Sequence, residues 1–153
     1  MGPSGAKMGD FEPFRDSIIA MWPSILALQG KQRAALTTAD WSDLQEIFLQ
    51  ISVMQTQIIL VAHSKVLAHV LPELVAPIDR EYTLNYVYGN TSINQNHAVQ
   101  WGVFKELHRD FFHPVAANPA FLPFAQALVG QRAHFPWNTS VLKVVDNCVI
   151  GMR

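Results

Sequence analysis

With 153 residues, half of them apolar, the chain is long enough for one domain with a continuous core, burying roughly 70% of the surface its unfolded form exposes. Eleven Lys and Arg against twelve Asp and Glu leave a formal charge of −1, which excludes a strong overall field for capturing nucleic acid or an anionic membrane. The one cysteine, Cys148 among Val144, Val145 and Val149, excludes an intramolecular disulfide and a Cys-rich zinc site. It suits a reducing cytoplasm and reads as a packed, inert side chain.

The first nine residues, small and turn-prone, read as a disordered leader ahead of a single helical domain over 10–153. No apolar segment of a secretory signal follows Lys7, and no run approaches the roughly 18 to 20 apolar residues of a membrane span. Phe14, Ile18, Ile19 and Trp22 share a helical face, which Pro23 is expected to end or kink. After a connection through Gly30 and 31–38, an apolar stripe runs from Asp40 through Trp41, Leu44, Ile47, Phe48 and Ile51, with Asp43, Glu46 and Gln50 opposite. A break is expected between Met54 and Ser64, and the run 58–62 reads as helix in preference to a short buried strand.

Ser64 is placed to cap a helix reaching Leu71, which Pro72 ends. Asp79 is placed to cap a helix over 81–88, closed by Gly89 and Asn90. Ser92 followed by Gln95 has the capping-box pattern for a long helix to about His113, with Pro114 just beyond. Asn118 and Pro119 start another that ends at Gly130, and a last helix runs from about Asn138 or Thr139 to Ile150. The expectation is an all-α bundle of six or seven helices.

Six histidines raise a metal site, and their spacing opposes it. His97 and His108 share a helix face but stand roughly 16 Å apart along it; His63 with His69, and His108 with His113, lack the i, i+4 spacing of a ligand pair. Because His97 and His108 lie on the stripe of Ile93, Trp101, Phe104 and Phe111, they read as hydrogen-bonded histidines at the edge of the core. A ligand site assembled between helices from His97, Trp101 and His108 is the competing reading. Neither a Gly-rich phosphate loop nor a G-x-S-x-G elbow is present, and no cofactor is implied. Trp22, Trp41, Trp101 and Trp137 read as core anchors, and Lys105, Glu106, Arg109 and Asp110 as a solvated face.

The pattern S-K-x-L, L-P-x-L, P-I-D-R-x-Y-T and the late segment WNTSVLKVVDN resembles a family of small uncharacterised bacterial helical proteins, over roughly 57–92 and 137–151. More distantly, Lys65 at the head of a helix with Asp79 opening the next resembles the helix-hairpin-helix DNA glycosylases. That resemblance implies a Schiff-base nucleophile at Lys65 and, at Asp79, the carboxylate that helps expel the base. The glycosylase hairpin places glycines where this chain has Val61 and His63, and those side chains obstruct the close approach of backbone amides to phosphate.

Without a complete catalytic constellation, the sequence reads first as a non-enzymatic helical module binding a protein or small ligand between helices. A DNA-binding or DNA-processing domain using Lys65 and Asp79 is the alternative, and a positive face including Lys65 and Arg80 would favour it. The high apolar content also suggests a homodimer through Phe121, Phe124 or Phe135.

Overall fold

The computed structural model describes residues 8–152, and among them the apolar three-and-four spacing is realised as seven helices. These are α1 (Phe11–Gln29), α2 (Thr38–Gln50), α3 (Leu60–Val70), α4 (80–88), α5 (97–117), α6 (Leu122–Gly130) and α7 (Val141–Gly151), with a 3-10 turn at Arg33–Ala35. There is no strand among the described residues. An isolated bridge joins Met8 to Met54, and the Gly9 N–H donates to Val53 O at 2.8 Å. Of the expected leader, Met8 and Gly9 are therefore fixed against the connection between α2 and α3; residues 1–7 lie outside the described residues. No described helix is long and apolar enough to cross a membrane.

The bundle is organised around α5. Its first half packs against α2 and α3, and its last turns pack against α7, which also touches α6 and the start of α4. An aromatic column fills the centre, with Phe48 and Phe104 ring centroids 4.8 Å apart, Trp101 and Phe104 5.3 Å apart, and Phe104 and His108 4.2 Å apart. Phe48, Phe104 and Phe112 are fully buried, each stabilising the fold by about 1.5–3 kcal/mol relative to an exposed side chain. Gln100 of α5 reaches across this core. Its Oε1 accepts from the Ile59 and Leu60 N–H groups at 2.8 and 2.9 Å, and its Nε2 donates to Gln57 O at 2.7 Å.

Two prolines lie inside helices they were expected to end. Pro23 sits within α1, and Ile19, whose carbonyl loses its i+4 donor there, is solvent-exposed along with the proline, so water can serve that carbonyl. Pro114 lies within α5, just after a widened π-type turn over Leu107–Phe112 in which the His113 N–H donates to His108 O, five residues back. The wider turn accommodates the proline ring, and the helix continues to Ala117.

Several caps also differ from expectation. Thr37 and Asp40 form a reciprocal capping box that starts α2. Asn96, not Ser92, caps α5, its Oδ1 accepting from the Ala98 and Val99 N–H groups. Ser140 caps α7. Ser64 is no cap: it lies buried inside α3, where its hydroxyl donates to Val61 O and accepts from the Ile78 N–H at 3.0 Å. Asp79 does cap α4, with Oδ1 accepting from the Glu81 and Tyr82 N–H groups at 2.9 and 3.3 Å, and Gly89 ends that helix in the left-handed conformation at φ 70°.

The tryptophans divide. Trp101 is buried and Trp41 packs edge-on against it, whereas Trp22 and Trp137 are exposed and are not core anchors. Phe124 and Phe135 are exposed as expected, while Phe121 is partly buried and packs against the core.

Candidate functional site

The segment 75–79 crosses between α3 and α7 and leaves a cleft of about 320 Å³ between them. Helical spacing supplies two of its walls. On α3, Lys65, Ala68 and His69 fall at i, i+3 and i+4; on α7, Lys143, Asp146 and Ile150 fall at i, i+3 and i+7. Val75, Pro77 and Ile78 form the apolar floor, and the loop 136–140 forms the rim. That loop is tied down at its end: Asn138 Oδ1 accepts from Asn147 Nδ2 at 2.7 Å, and the Ser140 hydroxyl accepts from the Lys143 N–H at 3.1 Å. Just before these anchors Trp137 stands at the rim, 77% exposed.

Four charges meet in the cleft. Lys65 Nζ lies 3.6 Å from Asp79 Oδ2, and Lys143 Nζ donates to Asp146 Oδ2 at 2.5 Å. Asp146 is only 3% exposed. Burial pushes its carboxyl above the ordinary carboxylate range against the opposing pull of the Lys143 ammonium; the Asp79 charge adds to the rise, and Lys65 offsets it. The two pairs thus share one local field. Each ammonium carries three N–H donors: Lys143 spends one on Asp146, Lys65 stands 3.6 Å from Asp79 Oδ2, beyond hydrogen-bond reach, and Asp79 Oδ1 is taken by the Glu81 and Tyr82 N–H groups. Outward-facing hydrogen-bond donors exceed what the cleft's own acceptors use.

Of the residues singled out in the sequence, Lys65 and Asp79 are brought together here. Lys65 is the sixth residue of α3 and not its head, and the residues before that helix, 51–59, form a long connection in place of a tight hairpin. Arg80 points away, its Nε donating to Thr91 O. His97, Trp101 and His108 do not form a ligand site. Trp101 is buried in the aromatic column, and His97 stands at the first turn of α5 with a buried Nε2 that has no hydrogen-bond partner among the described residues. His108 is at the centre of the core, not its edge: Nε2 accepts from the Ala76 N–H at 2.9 Å and Nδ1 lies 2.7 Å from Phe104 O, so Nδ1 carries the proton of a neutral ring. Among the described residues no three His, Cys, Asp or Glu side chains converge as a metal ion requires.

Lys143, Asp146 and Trp137 were missed as site residues. The signal was present in Asp146, an acid following Val144 and Val145 and three residues before Val149 on the apolar α7, and three residues from a lysine. A wider groove of about 810 Å³ lies between the Arg33 turn and the end of α5. It is more open, and its cations, like those of the cleft, are each paired with an acid: Lys31 with Asp40, Arg33 with Glu73 and Arg109 with Asp110. The smaller cleft is the better-built site. No protein-family model matches the chain, and neither a curated protein nor a solved structure is significantly similar to it.

Proposed function

We propose that the chain is a ligand-binding helical module whose cleft between α3 and α7 takes a small organic anion with an apolar, ring-sized body. The observation that carries this reading is the pairing of spare ammonium donors on Lys65 and Lys143 with an apolar floor and an exposed tryptophan at the rim. An anionic group is recognised by the ammonium donors, and the body is covered by Val75, Pro77, Ile78 and the Trp137 ring. Asp146 holds Lys143 in place; a carboxylate left alone at that depth would be costly to bury.

The test uses 8-anilinonaphthalene-1-sulfonate, an aromatic body with one anionic group. The native protein binds it saturably, and Lys65→Ala and Trp137→Ala each weaken binding about tenfold, as removal of a charged or aromatic anchor does. Binding that is non-saturable, or unchanged in both variants, overturns the proposal.

A second reading rests on Lys65 and Asp79 standing side by side at the mouth of the same cleft. In it Lys65 Nζ bonds to C1′ of a damaged nucleotide as the C1′–base bond breaks and the base leaves with its electron pair, with Asp79 as the assisting carboxylate. A borohydride-trapped adduct between the wild-type protein and an abasic duplex, absent from Lys65→Ala, would replace the binding reading with this one. The cap bonds made by Asp79 favour the first.

A further inference from the structure

We infer that the anionic group taken by the cleft between α3 and α7 is the carboxylate of a free, apolar α-amino acid, whose ammonium is held at the same time by Asp79. The inference rests on the binding reading above and narrows the molecule that satisfies it. The two ion pairs of the cleft differ in closure. Lys143 Nζ donates to Asp146 Oδ2 at 2.5 Å, and that carboxylate is buried, so the pair is closed. Lys65 Nζ and Asp79 Oδ2 stand 3.6 Å apart, too far for a hydrogen bond, on side chains 50% and 31% exposed. Asp79 Oδ1 holds the Glu81 and Tyr82 N–H groups, while neither Oδ2 nor Lys65 Nζ makes a hydrogen bond among the described residues.

An α-amino acid fits an open pair of this kind. Its carboxylate oxygens and its ammonium nitrogen lie roughly 2.7 to 3.6 Å apart, fixed by the bonds through one carbon, a span that matches Lys65 Nζ and Asp79 Oδ2. Each ligand charge therefore meets its opposite on the chain in a charge-assisted hydrogen bond. A carboxylate entering alone gains Lys65 and is repelled by Asp79 beside it; an adjacent ammonium turns that repulsion into a second bond. Charge over the whole cleft gives the same preference. Lys65 and Lys143 balance Asp79 and Asp146, and a zwitterion leaves that balance unchanged. The ligand's side chain then lies along Pro77 and Ile150 against the Trp137 ring. At about 320 Å³ the cleft is at the small end of ligand pockets, which suits a molecule with one ring.

The test is isothermal titration calorimetry of the full chain with L-phenylalanine, with phenylpropanoate, which lacks the ammonium, and with phenethylamine, which lacks the carboxylate. Phenylalanine should bind at least about tenfold more tightly than either. Asp79→Asn keeps the α4 cap through its amide oxygen and should bring phenylalanine and phenylpropanoate to within about twofold of each other. No phenylalanine binding up to about 10 mM, equal binding of the three molecules, or a preference that survives Asp79→Asn overturns the inference. Saturable naphthalenesulfonate binding that Lys65→Ala weakens, found beside any of those results, leaves the binding reading standing without the amino acid; loss of both removes both.

Discussion

Around α5, ionisable rings sit among aromatic neighbours and turn their nitrogens to the backbone: His108 to Phe104 O and Ala76 N, His63 to Phe48 O, His113 to Leu74 O. In the cleft between α3 and α7, ionisable groups face one another as Lys65 with Asp79 and Lys143 with Asp146. The first arrangement keeps its groups neutral. Burial drives His63 down to about 4 and His108 to about 3, against the opposing effect of their carbonyl acceptors. The second sets two lysine–aspartate pairs in contact, Lys65 with Asp79 half-exposed and Lys143 with the buried Asp146. One region uses polar atoms to fix where backbone segments lie; the other pairs side chain with side chain and is where the proposed ligand would bind.

The largest effect should come from the core. Replacing His108 with Ala empties a fully buried ring site and strands the Ala76 N–H, which should cost about 3–5 kcal/mol in urea unfolding. A loss below about 1 kcal/mol would mean the imidazole's bonds are dispensable and the contrast between the regions is false.

The pH dependence follows from the same rings. Their folded pKa values are depressed below the ordinary 6.5, so the unfolded chain binds more protons between about 6.5 and about 4, and stability falls as pH falls through that window. Unfolding free energies from urea titrations at pH 7 and pH 4.5 should differ by about 2 kcal/mol or more. Asp146 acts in the opposite sense: raised by burial, it favours the fold while protonated, and that contribution fades as pH rises through its folded value. Stability that is flat or rising toward pH 4.5 would show the cleft carboxylate outweighing the core rings.

Smaller effects sharpen the boundary between the regions. Ser64→Ala leaves the buried Ile78 N–H without its acceptor and should cost about 1–3 kcal/mol by thermal or urea melting. Asp79→Ala should cost about 0.5–2 kcal/mol and Asp79→Asn much less, because the amide oxygen still caps α4. Lys65→Ala, half-exposed in its pair, should change stability by under about 1 kcal/mol while weakening the naphthalenesulfonate binding about tenfold. If Asp79→Asn destabilises as much as Ala, its charge matters more than its cap.

The helical class and the cap at Asp79 were legible because they depend on neighbours in sequence: apolar spacing, a turn before a short helix, Gly89 after it. Ser64 was misread because an N-cap and a buried mid-helix serine look alike until the partner at Ile78, fourteen residues away, is known. Ser92 had the letters of a capping box, and Asn96 took the role four residues later. Both helices continue past their prolines: at Pro23 the freed Ile19 carbonyl is on the solvent side, and before Pro114 the bonding has already shifted by one residue, the His113 N–H donating to His108 O. Half of the cleft was visible as Lys65 and Asp79. Its other half arrives from α7, more than sixty residues later, and no local pattern joins Asp146 to Asp79.

Gln100 has a consequence for how the molecule assembles. Helix α3 has no cap of its own, since Ile59 precedes it and offers no side-chain acceptor; its first two free N–H groups are held by a glutamine some forty residues downstream. Starting a helix is the unfavourable step in forming one, so the turn that leads into Lys65 gains its stabilisation only once α5 has docked. Closure of that loop comes before the helix it stabilises. The cleft should therefore be among the last features to form during folding, and a fragment ending before α5 should leave α3 frayed at its Leu60 end, in the turn before Lys65.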